Sequence, residues 1–103
     1  VKNEEPTYYA NTSKVSTSQF ASGSIIEGEV VQSVLSRNTH VHKDSVVKNS
    51  ILFPRVVIGQ GAQVEYAILD KGVEVADGVV IRGTVEHPVV VKKGEKVTED
   101  IHS

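Results

Sequence analysis

The chain has 103 residues, enough for one domain with a single narrow core. A formal net charge of −2 gives no electrostatic reason to expect nucleic acid or an anionic membrane surface as a partner. No run approaches the ~18 apolar residues of a membrane span, no signal peptide opens the chain, and the absence of cysteine fits a reducing, cytoplasmic setting.

Residues 1–14 are polar, contain Pro6 and carry no inward pattern, which predicts a linker. The chain holds no Met and opens at Val1, so it is expected to be a piece of something longer, with the linker leading from a domain upstream. From Val15 an aliphatic series begins: Val15, Phe20, Ile26, Val30 and Leu35, at steps of five, six, four and five. The stretch Ile26-Glu27-Gly28-Glu29-Val30 is two residues short, which predicts a tightened corner.

Beyond Leu35 the series becomes regular, through Val41, Val47, Leu52, Ile58, Val64, Leu69, Val75 and Ile81. Its period is seventeen residues, so that Val41–Val47, Ile58–Val64 and Val75–Ile81 align. Ser33-Val34-Leu35, Ser50-Ile51-Leu52, Ala67-Ile68-Leu69 and Thr84-Val85-Glu86 form a second aligned set. Two positions before each aliphatic residue stands a small or β-branched one: Thr39, Ser45, Ser50, Val56, Ala62, Ala67, Val73, Val79. Residues two apart on a strand share a face, so each pair points inward from one short strand. Repeats this short cannot each bury a core and must stack. Three strands per turn give a triangular prism, a hexapeptide-repeat parallel β-helix of about four to five coils over residues 15–86. An α-helical repeat is excluded because no 3.6-residue period survives. Gly59, Gly61, Gly72 and Gly78 fall between the inward pairs, where corners need unusual dihedrals. Residues 87–103 are charged and predict a capping strand and a tail.

His40 and His42 flank the inward Val41 and therefore point outward together. Such histidines serve as general bases in hexapeptide acyltransferases, and others bind zinc between subunits. The simpler reading is a solvated turn, because the repeat places no third ligand or acidic partner beside them. His87 and His102, near the end of the chain, read as incidental. Catalytic residues and a metal site are therefore expected to be absent from this chain. A stronger signal is an outward apolar column, Val34, Ile51, Ile68 and Val85, seventeen residues apart, with Phe53 and Tyr66 able to extend it. A ladder of β-branched residues on one flat side predicts an interface with another domain or subunit. Lys71 and Lys92, with Arg82, are the basic residues that suggest an anion site.

Glu5-Pro6-Thr7-Tyr8-Tyr9, Ser24-Ile25-Ile26-Glu27-Gly28, Val47-Lys48-Asn49-Ser50-Ile51-Leu52, Ile68-Leu69-Asp70-Lys71 and His87-Pro88-Val89-Val90-Val91-Lys92-Lys93-Gly94 carry a family resemblance. Over about residues 4 to 97 the chain resembles the C-terminal part of bacterial ADP-glucose pyrophosphorylases (glucose-1-phosphate adenylyltransferases), more the regulatory GlgD-type subunit than the catalytic one. The resemblance implies a left-handed β-helix, although parallel crossovers are right-handed in about 98% of cases. It implies an upstream nucleotidyltransferase domain that uses Mg²⁺ to make ADP-glucose in glycogen biosynthesis, and no cofactor here. It also implies contact with that domain, homo- or hetero-oligomerisation with the catalytic subunit, and a phosphorylated sugar effector at Lys71 and Lys92. The alternative is a hexapeptide acyltransferase using His40 or His42.

Overall fold

The computed structural model describes residues 23–102 in full and, before them, the backbone of Tyr8–Tyr9, Lys14–Ser16 and Gln19–Phe20. Every regular element among the described residues is a short strand, and no helix is long and apolar enough to cross a membrane. The strands assemble into three parallel sheets, two of six strands and one of five. Each run of chain contributes one strand to each sheet in turn, so the sheets form the faces of a prism. Face A holds Tyr8–Tyr9, Ile25–Ile26, His40–Val41, Val57–Ile58, Glu74–Val75 and Lys96–Val97. Face B holds Lys14–Ser16, Glu29–Val31, Val46–Lys48, Gln63–Glu65, Val80–Arg82 and Ile101–His102. Face C holds Gln19–Phe20, Val34–Leu35, Ile51–Leu52, Ala67–Leu69 and Val89–Val91. This is the β-helix that the repeat predicts.

The register follows the seventeen-residue period through the middle of the chain, where His40 pairs with Val57 and Val57 with Glu74. It departs from that period at both ends. Ile25 pairs with His40, a coil two residues short, as the contraction around Gly28 predicts. Near the other end Ile68 pairs with Val90, not with Val85, because residues after Gly83 form an extra loop before face C resumes. The backbone N–H of Thr84 bonds to the His87 carbonyl at 3.2 Å, and the His87 N–H to Thr84 Oγ1 at 3.0 Å, which closes that loop on itself. Val85 therefore leaves the ladder, and its side of the prism is completed by Val90. The sheets also run past the expected limits of 15 and 86. Tyr8–Tyr9 pairs with Ile25–Ile26, and Val89–Val91, Lys96–Val97 and Ile101–His102 each extend a face. The rest of the expected linker, residues 1–7 and 10–14 apart from Lys14, lies outside the described residues.

The inward aliphatic series is sealed. Val41, Val47, Leu52, Ile58, Val64, Leu69 and Ile81 have no exposed surface. Burying each such side chain contributes roughly 1.5–3 kcal/mol, and the ladder of backbone hydrogen bonds satisfies the groups buried with them. The second inward column changes character along the axis. Ser24, Ser33, Thr39, Ser45 and Ser50 come first, then Val56, Ala62, Ala67, Val73 and Val79, all buried. The buried hydroxyls are paired. Ser24 Oγ lies 2.9 Å from Thr39 Oγ1, Ser50 Oγ donates to the Lys48 carbonyl at 2.8 Å, and Ser50 Oγ accepts the Ala67 N–H at 3.2 Å.

The corners repeat a left-handed backbone residue in each coil. One column runs Gly23, Asn38, Arg55, Gly72 and Gly94, all with positive φ, and another runs Asp44, Gly61 and Gly78. Gly59 sits before its corner without positive φ. There a Cβ would stand 2.6 Å from Asp77 Oδ1 and 2.7 Å from the Ala76 carbonyl carbon, so the position requires glycine for closeness and not for dihedral freedom.

Candidate functional site

Face A carries a cluster that the seventeen-residue repeat does not reveal. Because the short coil sets Ile25 against His40 and Ile26 against Val41, Glu27 falls beside His42 in the adjacent coil. Glu27 Oε1 lies 3.0 Å from His40 Nε2 and 3.9 Å from His42 Nδ1. The two imidazoles stack with centroids 3.7 Å apart and planes inclined by 19°. The three side chains are partly exposed, at 30%, 39% and 35% for His40, His42 and Glu27. The expectation that no acidic partner stands beside the histidines is thus overturned. Looking seventeen residues back from His42 lands on Ile25, whereas the contracted coil brings Glu27.

An imidazole held by a carboxylate can act as an oriented base or as a metal ligand. His42 also borders a shallow groove of about 210 Å³, floored by Gly59 and Ala76 and flanked by Glu74, Asp77 and Lys96. That volume is below the roughly 300–1,000 Å³ of small-molecule sites. His87 lies exposed in the extra loop, and His102 lies on the last strand of face B beside Arg82. Neither joins the cluster.

Face C presents the apolar column. Val34, Ile51 and Val90 are 44%, 42% and 64% exposed, Ile68 is half-buried, and register places the four in one line. Phe53 follows Ile51 on the same outward side, 36% exposed. Tyr66 precedes Ile68 at the corner, half-buried, with a left-handed φ of 50°. Val85 is exposed in the extra loop and away from this line. The outward side of face A is different, with His40, Glu74 and Lys96 in line with Ile25 and Val57.

The basic residues fall into two places. Leu69 pairs with Val91, so Asp70 and Lys71 stack on Lys92 and Lys93 at the corner between faces C and A. The Gly94 N–H bonds to the Lys71 carbonyl at 2.9 Å, which fixes the two coils together there. Arg55 N–H bonds to the Arg37 carbonyl at 3.2 Å further along the same corner, so Arg37 and Arg55 belong to this edge and were not singled out in the sequence. The signal was available, since the corner returns every seventeen residues. Arg82 lies on face B, with Nε 3.6 Å from Glu65 Oε1 and Nη2 3.3 Å from Gln63 Oε1. Register thus sets Lys92 beside Asp70 and Lys71 beside Lys93 at one corner, while Arg82 lies apart on face B.

A three-faced parallel prism of short strands with hydroxyl- and alanine-lined corners defines a hexapeptide-repeat protein, and the chain belongs to the family described as GlmU-like, C-terminal hexapeptide, matched over residues 5–87. Its relatives are more particular. It is 37% identical over 99 residues to a glucose-1-phosphate adenylyltransferase of Bacillus cytotoxicus, covering 96% of this chain and 23% of that protein. It is 39% identical over 94 residues to the glycogen biosynthesis protein GlgD of Bacillus subtilis strain 168, covering 91% of this chain and 27% of GlgD. The resemblance drawn from the motifs therefore holds, and the chain spans about a quarter of the length of these relatives. Among solved structures, WeeI from Acinetobacter baumannii AYE shares the fold, with a TM-score of 0.51 at 19% identity over 91% of this chain and 50% of that one.

Proposed function

We propose that this chain is the C-terminal regulatory and assembly domain of a glucose-1-phosphate adenylyltransferase subunit, with the GlgD-type paralogue as the preferred source. In this reading the parent enzyme joins ATP and glucose 1-phosphate into ADP-glucose and diphosphate for glycogen biosynthesis in the cytoplasm, using Mg²⁺ held in its own catalytic domain. The prism does no chemistry. It contacts the upstream catalytic domain and builds a homo- or hetero-oligomer with the catalytic subunit. A phosphorylated sugar effector binds along the basic corner, where Lys71 and Lys92 are joined by Arg37 and Arg55.

The observation that carries the assembly role is the apolar column Val34–Ile51–Ile68–Val90 on face C. Strand propensity alone would scatter β-branched residues over all three outward faces. The outward lines of faces A and B do hold Ile25, Val57, Val46 and Val80, but His40, Glu74, Glu29 and Gln63 interrupt them, whereas face C is apolar from Val34 to Val90 without a break, with Phe53 beside it. Covering each contributes roughly 1.5–3 kcal/mol, so four in line can anchor an interface. Inward positions are filled by other residues, so changing the column spares the prism. Light scattering on the parent protein carrying Ile51→Lys with Ile68→Lys tests this. The mass is expected to fall to that of a smaller species, while the chain alone keeps its melting curve. An oligomer of unchanged mass at dilute concentration contradicts the assembly role.

A further inference from the structure

We infer that Glu27, His40 and His42 form a binding site for a divalent transition-metal ion of the zinc class, clamped across two adjacent coils on face A. The argument starts from geometry. The coordinating atoms of the three side chains all lie within 4.8 Å of one another. A tetrahedral ion with bonds of about 2.0–2.1 Å to nitrogen and carboxylate oxygen sets neighbouring ligand atoms about 3.3 Å apart. The observed separations of 3.0 Å and 3.9 Å from Glu27 Oε1 bracket that value, and ligation requires the two stacked rings to swing apart so that their in-plane nitrogen lone pairs converge on the ion.

The backbone has already ordered the set. His40 and His42 are two apart on one strand and its continuation, which fixes their common direction and keeps the two rings adjacent. Glu27 enters from the neighbouring coil only because the Ile26–Val30 corner is two residues short. Gly28 at that corner has no room for a side chain, since a Cβ would stand 2.5 Å from the Ser45 carbonyl oxygen. The contraction that aims Glu27 is therefore held by packing.

Donor chemistry selects the ion. Two imidazole nitrogens and one carboxylate oxygen suit zinc, copper or nickel, whereas calcium and magnesium prefer all-oxygen shells. With about a third of each side chain exposed, the remaining positions of the ion are open to water. Binding replaces the His40–Glu27 hydrogen bond and ties one coil to the next.

Calorimetric titration of Zn²⁺ into the metal-free chain, in buffer without chelator or phosphate, is the test. The expected result is one ion per chain, with affinity reduced at least about tenfold in His42→Ala and in Glu27→Gln. The control His87→Ala with His102→Ala should bind as the unaltered chain does. Melting temperature should rise with Zn²⁺ in the unaltered chain and not in His42→Ala. A variant that fails to melt cooperatively is replaced by His42→Gln, which keeps a polar side chain but no imidazole. Affinity within twofold of the unaltered chain in the His42 variant overturns the site. So does the lack of saturable uptake up to about 1 mM, or loss of binding in the His87/His102 control.

Discussion

The first coils of the prism and the later ones reach the same backbone by different chemistry. Up to Ser50 the second inward column is hydroxyl-bearing except at Gly28, and from Val56 to Val79 it is Val or Ala. The corners change in the same direction. After Gly23, Asn38 and Arg55 give way to Gly72 and Gly94 in one column, and Asp44 gives way to Gly61 and Gly78 in another, while the third corner keeps a side chain at Gln32, Asn49 and Tyr66. The early coils thus rely on paired hydroxyls and on left-handed residues that carry a Cβ. The later coils rely on apolar burial and, at two of the three corners, on glycine. The difference teaches that the period of the chain specifies the fold, while the residue at each place sets how much that place contributes to stability.

Four substitutions break or sharpen that contrast. The largest effect is expected in the shared inner series, where the halves do not differ. Val64→Asp buries an unpaired carboxylate at a position with no exposed surface, a change costing several kcal/mol against the roughly 5–15 kcal/mol that holds a domain together. The variant should be insoluble or lack a cooperative melt, and a melting curve like that of the unaltered chain would refute the packing described. Ser50→Ala acts on the hydroxyl half alone. It leaves the buried Ala67 N–H without the Ser50 oxygen and should lower stability by about 1–3 kcal/mol in urea unfolding.

The corners give the smallest effects, with opposite signs. At Gly78, φ is +74° and a Cβ would meet nothing within 4 Å, so Gly78→Ala isolates dihedral strain. It should cost about 1–2 kcal/mol. Arg55→Gly, at φ 63°, relieves the same strain and should raise stability by up to about 1 kcal/mol, less whatever flexibility glycine adds to the unfolded chain. Equal responses at the two corners would mean that the early coils carry no extra strain.

Most of the prism was legible because its inner residues recur at fixed steps. Val56, Ala62, Ala67, Val73 and Val79 are all buried as their spacing predicts. Legibility ended where the chain leaves the period. The loop after Gly83 shifts the last strand of face C, so spacing selected Val85 where register selects Val90. Gly83 marks the place, since a Cβ there would stand 2.4 Å from the Tyr66 carbonyl oxygen and 2.8 Å from the Val89 nitrogen. Val97-Thr98-Glu99-Asp100-Ile101 repeats the four-residue step of Ile26–Val30, yet its charged neighbours made it look like a tail. The contraction at Gly28 was visible, but its consequence was not. It moves Glu27 from the place opposite a regular coil to the place beside His42. The grouping of charged side chains depends on register to the residue, whereas burial of the core depends only on alternation.

The central claim is that the face C column is covered in the parent protein and open in this chain. The chain contains no cysteine, so a thiol introduced into it is a clean reporter. Ile51→Cys on face C and Val57→Cys on face A should be made separately and labelled with a maleimide, with the modified residue located by mass spectrometry. In the chain alone, the position 51 thiol should label readily. In the assembled parent its labelling should slow at least about tenfold, while position 57 changes little. Equal labelling at position 51 in the chain and in the parent would contradict the claim.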